Sequence, residues 1–318
     1  MNTSGEIRLA MLGMIEGNGH PYSWSAIING YNPAEMAACP YAAIPAYLGR
    51  QPLDTMRIEG ARVTHIWTDE PSDAPKVAAA SLIPHVVERP EEVIPHVDAV
   101  VIATDDGNDH VRRVQPFIEA GLPVFIDKPL ATNIGDLRQF VAWQREGKVL
   151  LSTSGMRYAP EMQLSDEQRQ ALGELRWITS FTCKTWERYG IHALEAVYPL
   201  LGPGFVSVQT QAASGSDLVH LTHVSGAQVT LAAIQDAYGS FGAVHLYGTA
   251  GQLPLRLTDT YSAFRGQLVA FIDMLRRGRP PFEFSQTIEL MAIIIGGIRS
   301  REMGGKSIAV QDIVAEVQ

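Results

Sequence analysis

The chain has 318 residues, of which 46% are hydrophobic and 19% charged, with a formal net charge of −9. That is a globular composition, and the length suits two domains, each with its own core. The acidic balance gives no basic surface for nucleic acid, and the longest apolar run, near Met291 to Ile298, is too short to cross a bilayer. Cys39 and Cys183 are too few for a disulfide framework and fit a reducing cytoplasm, while the polar start from Met1 to Ile7 reads as carrying no signal peptide.

Strand and helix alternate through the first half. Ile7 to Leu12 reads as a buried strand that Gly13 ends, and a helix is expected to begin near Tyr22 to Ser25. The intervening Gly13-Met14-Ile15-Glu16-Gly17-Asn18-Gly19 can bring backbone N–H groups close to a pyrophosphate, although its spacing is not Gly-x-Gly-x-x-Gly. A plain flexible turn is the competing reading. Residues 31–60, rich in proline and aromatics, read as an insertion with a short helix near Pro45 to Leu48, either a cover for a ligand, a subunit contact or ornament. Arg62 to Thr68 is the second strand, ending at Asp69-Glu70. An acid there would bind adenosine ribose hydroxyls and repel a 2′-phosphate, favouring NAD over NADP, unless it merely caps the next helix.

His85 to Val87 and Asp98 to Ala103 are the third and fourth strands, and His110 to Ala120 is a helix stopped by Gly121. The fifth strand, Val124-Phe125-Ile126, delivers Asp127-Lys128-Pro129 to the carboxyl edge of the sheet, where ligands of parallel sheets collect. A helix over 134–146 and a sixth strand over 149–152 complete a doubly wound Rossmann sheet. From Leu175 onward the pattern changes. Stretches 175–184, 206–213, 218–224, 227–234 and 243–247 read as strands of an open, mostly antiparallel sheet. A helix over 191–201 is closed by Gly202-Pro203-Gly204, and helices near 261–277 and 287–301 are expected to finish the chain. The fold class is therefore α/β, with a Rossmann domain over 1–153 and an α+β domain over 154–318. The uncovered sheet face suits a homodimer or homotetramer.

On the glycine turn, Thr104 through His110, Asp127-Lys128-Pro129 and Gly190-Ile191-His192 leading to Leu200-Leu201-Gly202, the chain resembles the Gfo/Idh/MocA oxidoreductases. The resemblance implies a nicotinamide cofactor, NAD by the Asp69 argument, and oxidation or reduction of a sugar, cyclitol or related polyol. It implies that Lys128 contacts the substrate hydroxyl and that His192 exchanges its proton. Gly13, Met14, Gly17, Asn18, Asp69, Thr104, Asp105, His110, Asp127 and Lys128 are the expected cofactor contacts. Arg157, Tyr158, Lys184, Trp186, Arg188 and His192, with Lys128, are the expected substrate contacts, and Glu187 and Tyr189 stand among them. The family has an aspartate four residues before the histidine, and here that place holds Arg188.

Taking hydride from a carbinol carbon requires a base near neutrality within reach of the hydroxyl, which an imidazole provides. No metal is expected, because His220 and His223 fall on opposite faces of a strand. Two further readings stay open. One is glycoside cleavage through transient oxidation and elimination; the other is a non-catalytic nucleotide-binding sensor or assembly protein, for which Arg188 at an acidic position is the main support.

Overall fold

The computed structural model describes residues 5–318, so the stretch Met1 to Ile7, read above for a signal peptide, begins outside the described residues. Six parallel strands form the first sheet: β1 (Ile7–Leu12), β2 (Ala61–Trp67), β3 (His85–Val86), β4 (Ala99–Ile102), β5 (Val124–Ile126) and β6 (Leu150–Ser152). Their order is β3-β2-β1-β4-β5-β6, the doubly wound order that the alternating pattern predicts. Seven strands form the second: β7 (Leu175–Cys183), β8 (Phe205–Ala213), β9 (Ser216–His223), β10 (Gln228–Ile234), β11 (Ala243–Gly248), β12 (Gln252–Arg256) and β13 (Ile308–Ala309). They run β12-β11-β7-β10-β9-β8-β13, antiparallel except where β10 lies parallel to β7.

Before β7 lie α1 (His20–Asn29), α2 (Pro33–Met36), α3 (Ala43–Leu48), α4 (Ala74–Ala80), α5 (His110–Glu119), α6 (Ile134–Arg145) and α7 (Asp166–Leu172). After it come α8 (Trp186–Leu201), α9 (Thr260–Arg277), α10 (Phe284–Glu302) and α11 (Val310–Val317). The sequence reading requires correction in several places. Helix α1 starts at His20, and α8 starts at Trp186 rather than Ile191. The chain does not finish with the helix near 287–301, because β13 and α11 follow it. Helix α7 and strand β12 were not anticipated; each is short, and their polar or proline-containing stretches mask the period.

Side-chain alternation along a strand explains the division of the core. Leu9, Met11, Val101 and Phe125 face one side of the first sheet, where α1 packs with Leu268, Phe271 and Ile272 of α9. Ala10, Leu12, Val100, Ile102, Val124 and Ile126 face the other side, and their cluster continues through α6, α8, α10 and α11 into the second sheet. The two sheets fall on either side of residue 153, yet α9 returns from the second half to cover the first sheet. In residues 31–60, Met36, Leu48, Met56 and Ile58 are buried in that same cluster, so much of the insertion is structural.

Candidate active site

Four segments meet at the carboxyl edge of the first sheet: the turn after β1, the loops after β4 and β5, and the start of α8. Gly13 sits at φ +89°, and a Cβ there would come within 2.7 Å of Thr104 Cγ2, so the turn can lie against the β4 loop only with glycine. Gly17, at φ +77°, forms part of a cavity wall. The Met14 N–H donates to Asp69 Oδ2 at 2.9 Å, which joins the turn to the end of β2, and Arg113 donates to Asp69 Oδ1 at 2.6 Å.

Charge concentrates at the ends of β4 and β5. Lys128 and Asp105 are both buried, with Lys128 Nζ 3.5 Å from Asp105 Oδ2, and the Lys128–Pro129 bond is cis. Arg188 reaches from α8 to Asp105 Oδ1 at 2.6 Å and to the Glu16 carbonyl at 3.3 Å. Burial works to raise the Asp105 carboxyl, but Lys128 and Arg188 overcome it and hold the group well below the usual carboxylate range. Asp105 thus faces two cations, Lys128 from the loop after β5 and Arg188 from α8.

Asp127 does not hold the Lys128 ammonium. Its Oδ1 accepts the Lys128 backbone N–H at 2.7 Å, while its Oδ2 accepts from Asn18 Nδ2 at 3.1 Å and lies 2.7 Å from His20 Nδ1. Asp127 and Lys128 face opposite ways, as adjacent residues at a strand end do.

Beside this cluster lies a cavity of about 500 Å³, lined by Gly17, His20, Tyr41, Ser154, Lys184, Tyr189, His192, Phe241 and Phe264, among others. His192 is buried, with Nδ1 2.7 Å from Ser154 Oγ. Burial, then Lys128 and other nearby cations, push its pKa well below the usual imidazole value. Lys184 Nζ contacts Tyr189 Oη at 2.8 Å and the Gly17 carbonyl at 3.4 Å, and its pKa is lowered by burial and by Arg188 and Lys128. The Tyr189 ring lies 4.6 Å from the Lys128 ammonium and 4.2 Å from that of Lys184, and burial followed by Asp105 raises its phenol.

Several expected contacts lie elsewhere. His110 is buried with its ring nitrogens at the Leu130 and Thr104 carbonyls (3.1 and 2.7 Å), so it ties two loops together and has no edge left for a cofactor. The Asn18 amide is occupied by Asp127, the Ala103 carbonyl and the His20 N–H. Trp186 is fully buried, donates to the Ile294 carbonyl at 3.0 Å and packs between helices α8 and α10. Arg157 binds Glu195 at 2.8 Å and covers the Phe282 ring at 4.2 Å, and with Tyr158 it lines a separate cavity of about 300 Å³. Glu187 pairs with Arg301, away from the cavity. His20, Ser154, Tyr41, Phe241 and Phe264 were missed. Among the described residues no cluster of three or more His, Cys, Asp or Glu could hold a metal ion.

The residues fit a polar dinucleotide. Thr104 Oγ1, Asp105 Oδ2, Lys128 Nζ and Arg188 Nε are buried without a hydrogen-bond partner among the described residues, next to a glycine turn. Buried polar atoms left in that state call for a polar ligand.

Residues 44–154 match the family described as the GFO_IDH_MocA oxidoreductase family, NAD-binding Rossmann fold. Over that stretch the chain is similar to the Gfo/Idh/MocA family. An inositol 2-dehydrogenase of Rhodococcus erythropolis is 37% identical over 106 residues, 32% of this chain and 30% of that protein, so the match spans under a third of the curated relative. The fold extends further. A myo-inositol 2-dehydrogenase of Lactobacillus plantarum superposes over 95% of this chain and 99% of its own, with a TM-score of 0.75 at 12% identity. A myo-inositol dehydrogenase of Lactobacillus casei in complex with NAD(H) and myo-inositol superposes over 95% and 96%, with a TM-score of 0.71 at 14% identity. At such identities these structures speak for the fold alone.

Proposed function

We propose that the chain is an NAD-dependent dehydrogenase acting on a hydroxyl-bearing carbon of a cyclitol, sugar or related polyol. The carrying observation is the buried, hydrogen-bond-free Lys128 ammonium 4.6 Å from the ring of Tyr189, which with His20, His192 and Gly17 lines the cavity. The family match to an NAD-binding Rossmann fold supports the cofactor, and the inositol dehydrogenases among its relatives support the substrate class.

Gly13, Met14, Gly17, Asp69, Thr104, Asp105 and Lys128 would hold NAD, with Asp69 at the adenosine ribose. When bound, the nicotinamide supplies an acceptor for hydride. Lys128 polarises the substrate oxygen, held in place by Asp105. His192, kept neutral by its surroundings, meets the hydroxyl from the other half of the chain. Tyr41, Tyr189, Phe241 and Phe264 present ring faces to substrate C–H surfaces and limit water. Arg188 need not signal a decayed site, because Asp105 returns the missing negative charge to its side.

The open face of the second sheet, with Trp177, Val206 and Leu218 each more than 40% exposed, suits a homodimer or homotetramer. Cysteines 39 and 183 are free and buried, in keeping with a reducing cytoplasm, and among the described residues no helix is long and apolar enough to cross a membrane. The functional test is NADH formation by the purified chain with NAD⁺ and a panel of inositols and sugars. No NADH with any of them, together with no calorimetric NAD binding, would overturn the proposal.

A further inference from the structure

Two imidazoles line the cavity, and their hydrogen bonds differ in kind. At His20 the pattern can be followed atom by atom. The His20 N–H donates to Asn18 Oδ1 at 2.9 Å, which fixes the orientation of the Asn18 amide. Asn18 Nδ2 therefore donates, to the Ala103 carbonyl and to Asp127 Oδ2, both at 3.1 Å. Asp127 is 1% exposed and takes a backbone N–H on its other oxygen, so it is an acceptor on both sides. The partner at 2.7 Å, His20 Nδ1, must then carry the proton.

At His192 the roles reverse. Ser154 Oγ accepts the Met156 N–H at 3.1 Å, and among the described residues the only other partner of this oxygen is His192 Nδ1, at 2.7 Å. Ser154 is 1% exposed, so its hydroxyl proton is satisfied only by donation to that nitrogen. His192 then carries its proton on Nε2. Neither Nε2 has a protein hydrogen bond among the described residues, and both rings line the same cavity.

We propose that His20 and His192 are fixed in opposite tautomers: His20 presents a bare Nε2 that accepts the substrate hydroxyl proton, and His192 presents an Nε2–H that holds a substrate oxygen. This assigns the base to a residue of the first half and moves His192 from proton acceptor to hydrogen-bond donor. In the forward step the substrate O–H bond breaks and its proton passes to His20 Nε2. The freed electron pair becomes the second C–O bond as the carbon's hydride leaves to oxidised nicotinamide. The His20–Asp127 pair has the arrangement that orients an imidazole and steadies it once protonated. His20 is partly exposed whereas His192 is buried, so a proton taken up by His20 lies nearer to solvent. Stacking on Trp24 at 4.2 Å and an edge contact with Phe264 at 5.3 Å hold its ring.

The catalytic roles rest on the dehydrogenase reading, whereas the tautomers do not, and one measurement separates them. In the full chain at pH 8 without cofactor, ¹⁵N-histidine NMR with signals assigned by H20N and H192N should show His20 protonated on Nδ1 alone. His192 should be protonated on Nε2 alone, and S154A should release it into a mixture of tautomers while His20 stays unchanged. A proton on His192 Nδ1, a proton on His20 Nε2, or an S154A spectrum unchanged at His192 overturns the assignment. With NAD⁺ and myo-inositol, H20N should lose about 100-fold in kcat with KM little changed, and H192N should act mainly on KM. The reverse split overturns the roles. Absence of wild-type turnover with both tautomers as assigned counts against the dehydrogenase reading instead.

Discussion

The two halves of the chain contribute to the site in different ways. The first sheet supplies short loops tied to one another by hydrogen bonds: Asn18 to Asp127, the Met14 N–H to Asp69, His110 to two backbone carbonyls. From the second half, helix α8 and the turn before it supply long side chains, Lys184, Arg188 and Tyr189, that reach across to the first sheet's turn and loops. The fixed half defines positions, and the reaching half completes the charge balance. Asp105 is where they join, since it faces Lys128 from its own sheet and Arg188 from the other side.

Removing that junction should have the largest effect. Asp105→Asn leaves Lys128 buried without a compensating charge and should cost about 3–5 kcal/mol of stability, read from urea unfolding. Lys128→Ala should lower turnover about 100-fold or more; wild-type rates would remove Lys128 from the chemistry. Arg188→Ala should cost less stability than Asp105→Asn, because its side chain is 34% exposed and water partly replaces the pair.

Acid should weaken both halves, through one histidine in each. Burial, then His85 and His96, lower His65 in β2 to about 4, and burial lowers His192 in α8. A histidine kept neutral by the fold binds protons more tightly when unfolded, so its contribution is complete above about pH 6.5 and is lost as pH falls below that value. The His65 share should be exhausted near pH 4. Urea midpoints followed against pH should flatten in part for His65→Gln and in part for His192→Asn; a slope unchanged in both would refute this account. The smallest effect is expected at Asp69, where Asp69→Ala should shift the NAD-to-NADP affinity ratio by about tenfold, or about 1.4 kcal/mol.

Much of the first half was legible because its signals are local. An apolar triplet followed by Asp127-Lys128-Pro129 places the lysine at a strand end whatever surrounds it, and the six-strand order follows from alternation. The start of α8 was not legible. The sequence reading began the helix at Ile191, but Gly190 lies inside it as the gap that admits the Trp186 ring between two helices. His20 was hidden for another reason: its partner Asp127 is 107 positions away, and only the folded chain brings the two together. Arg157 and Tyr158 follow Ser154 closely in sequence, yet the 3₁₀ turn Gly155–Tyr158 carries them to a different cavity. Arg188 was read as a missing acid because its partner Asp105 is 83 positions away and only the folded chain brings the two together.

Helix α9 belongs by sequence to the second half and by packing to the first, where Leu268, Phe271 and Ile272 close over Leu9, Met11 and Phe125. A chimera spliced at residue 153 would strip this lid from its own floor and offer a bare greasy plane to whatever met it first. Anyone grafting a new ligand-recognition module onto this dinucleotide platform would have to carry the segment Thr260–Arg277 along with the platform.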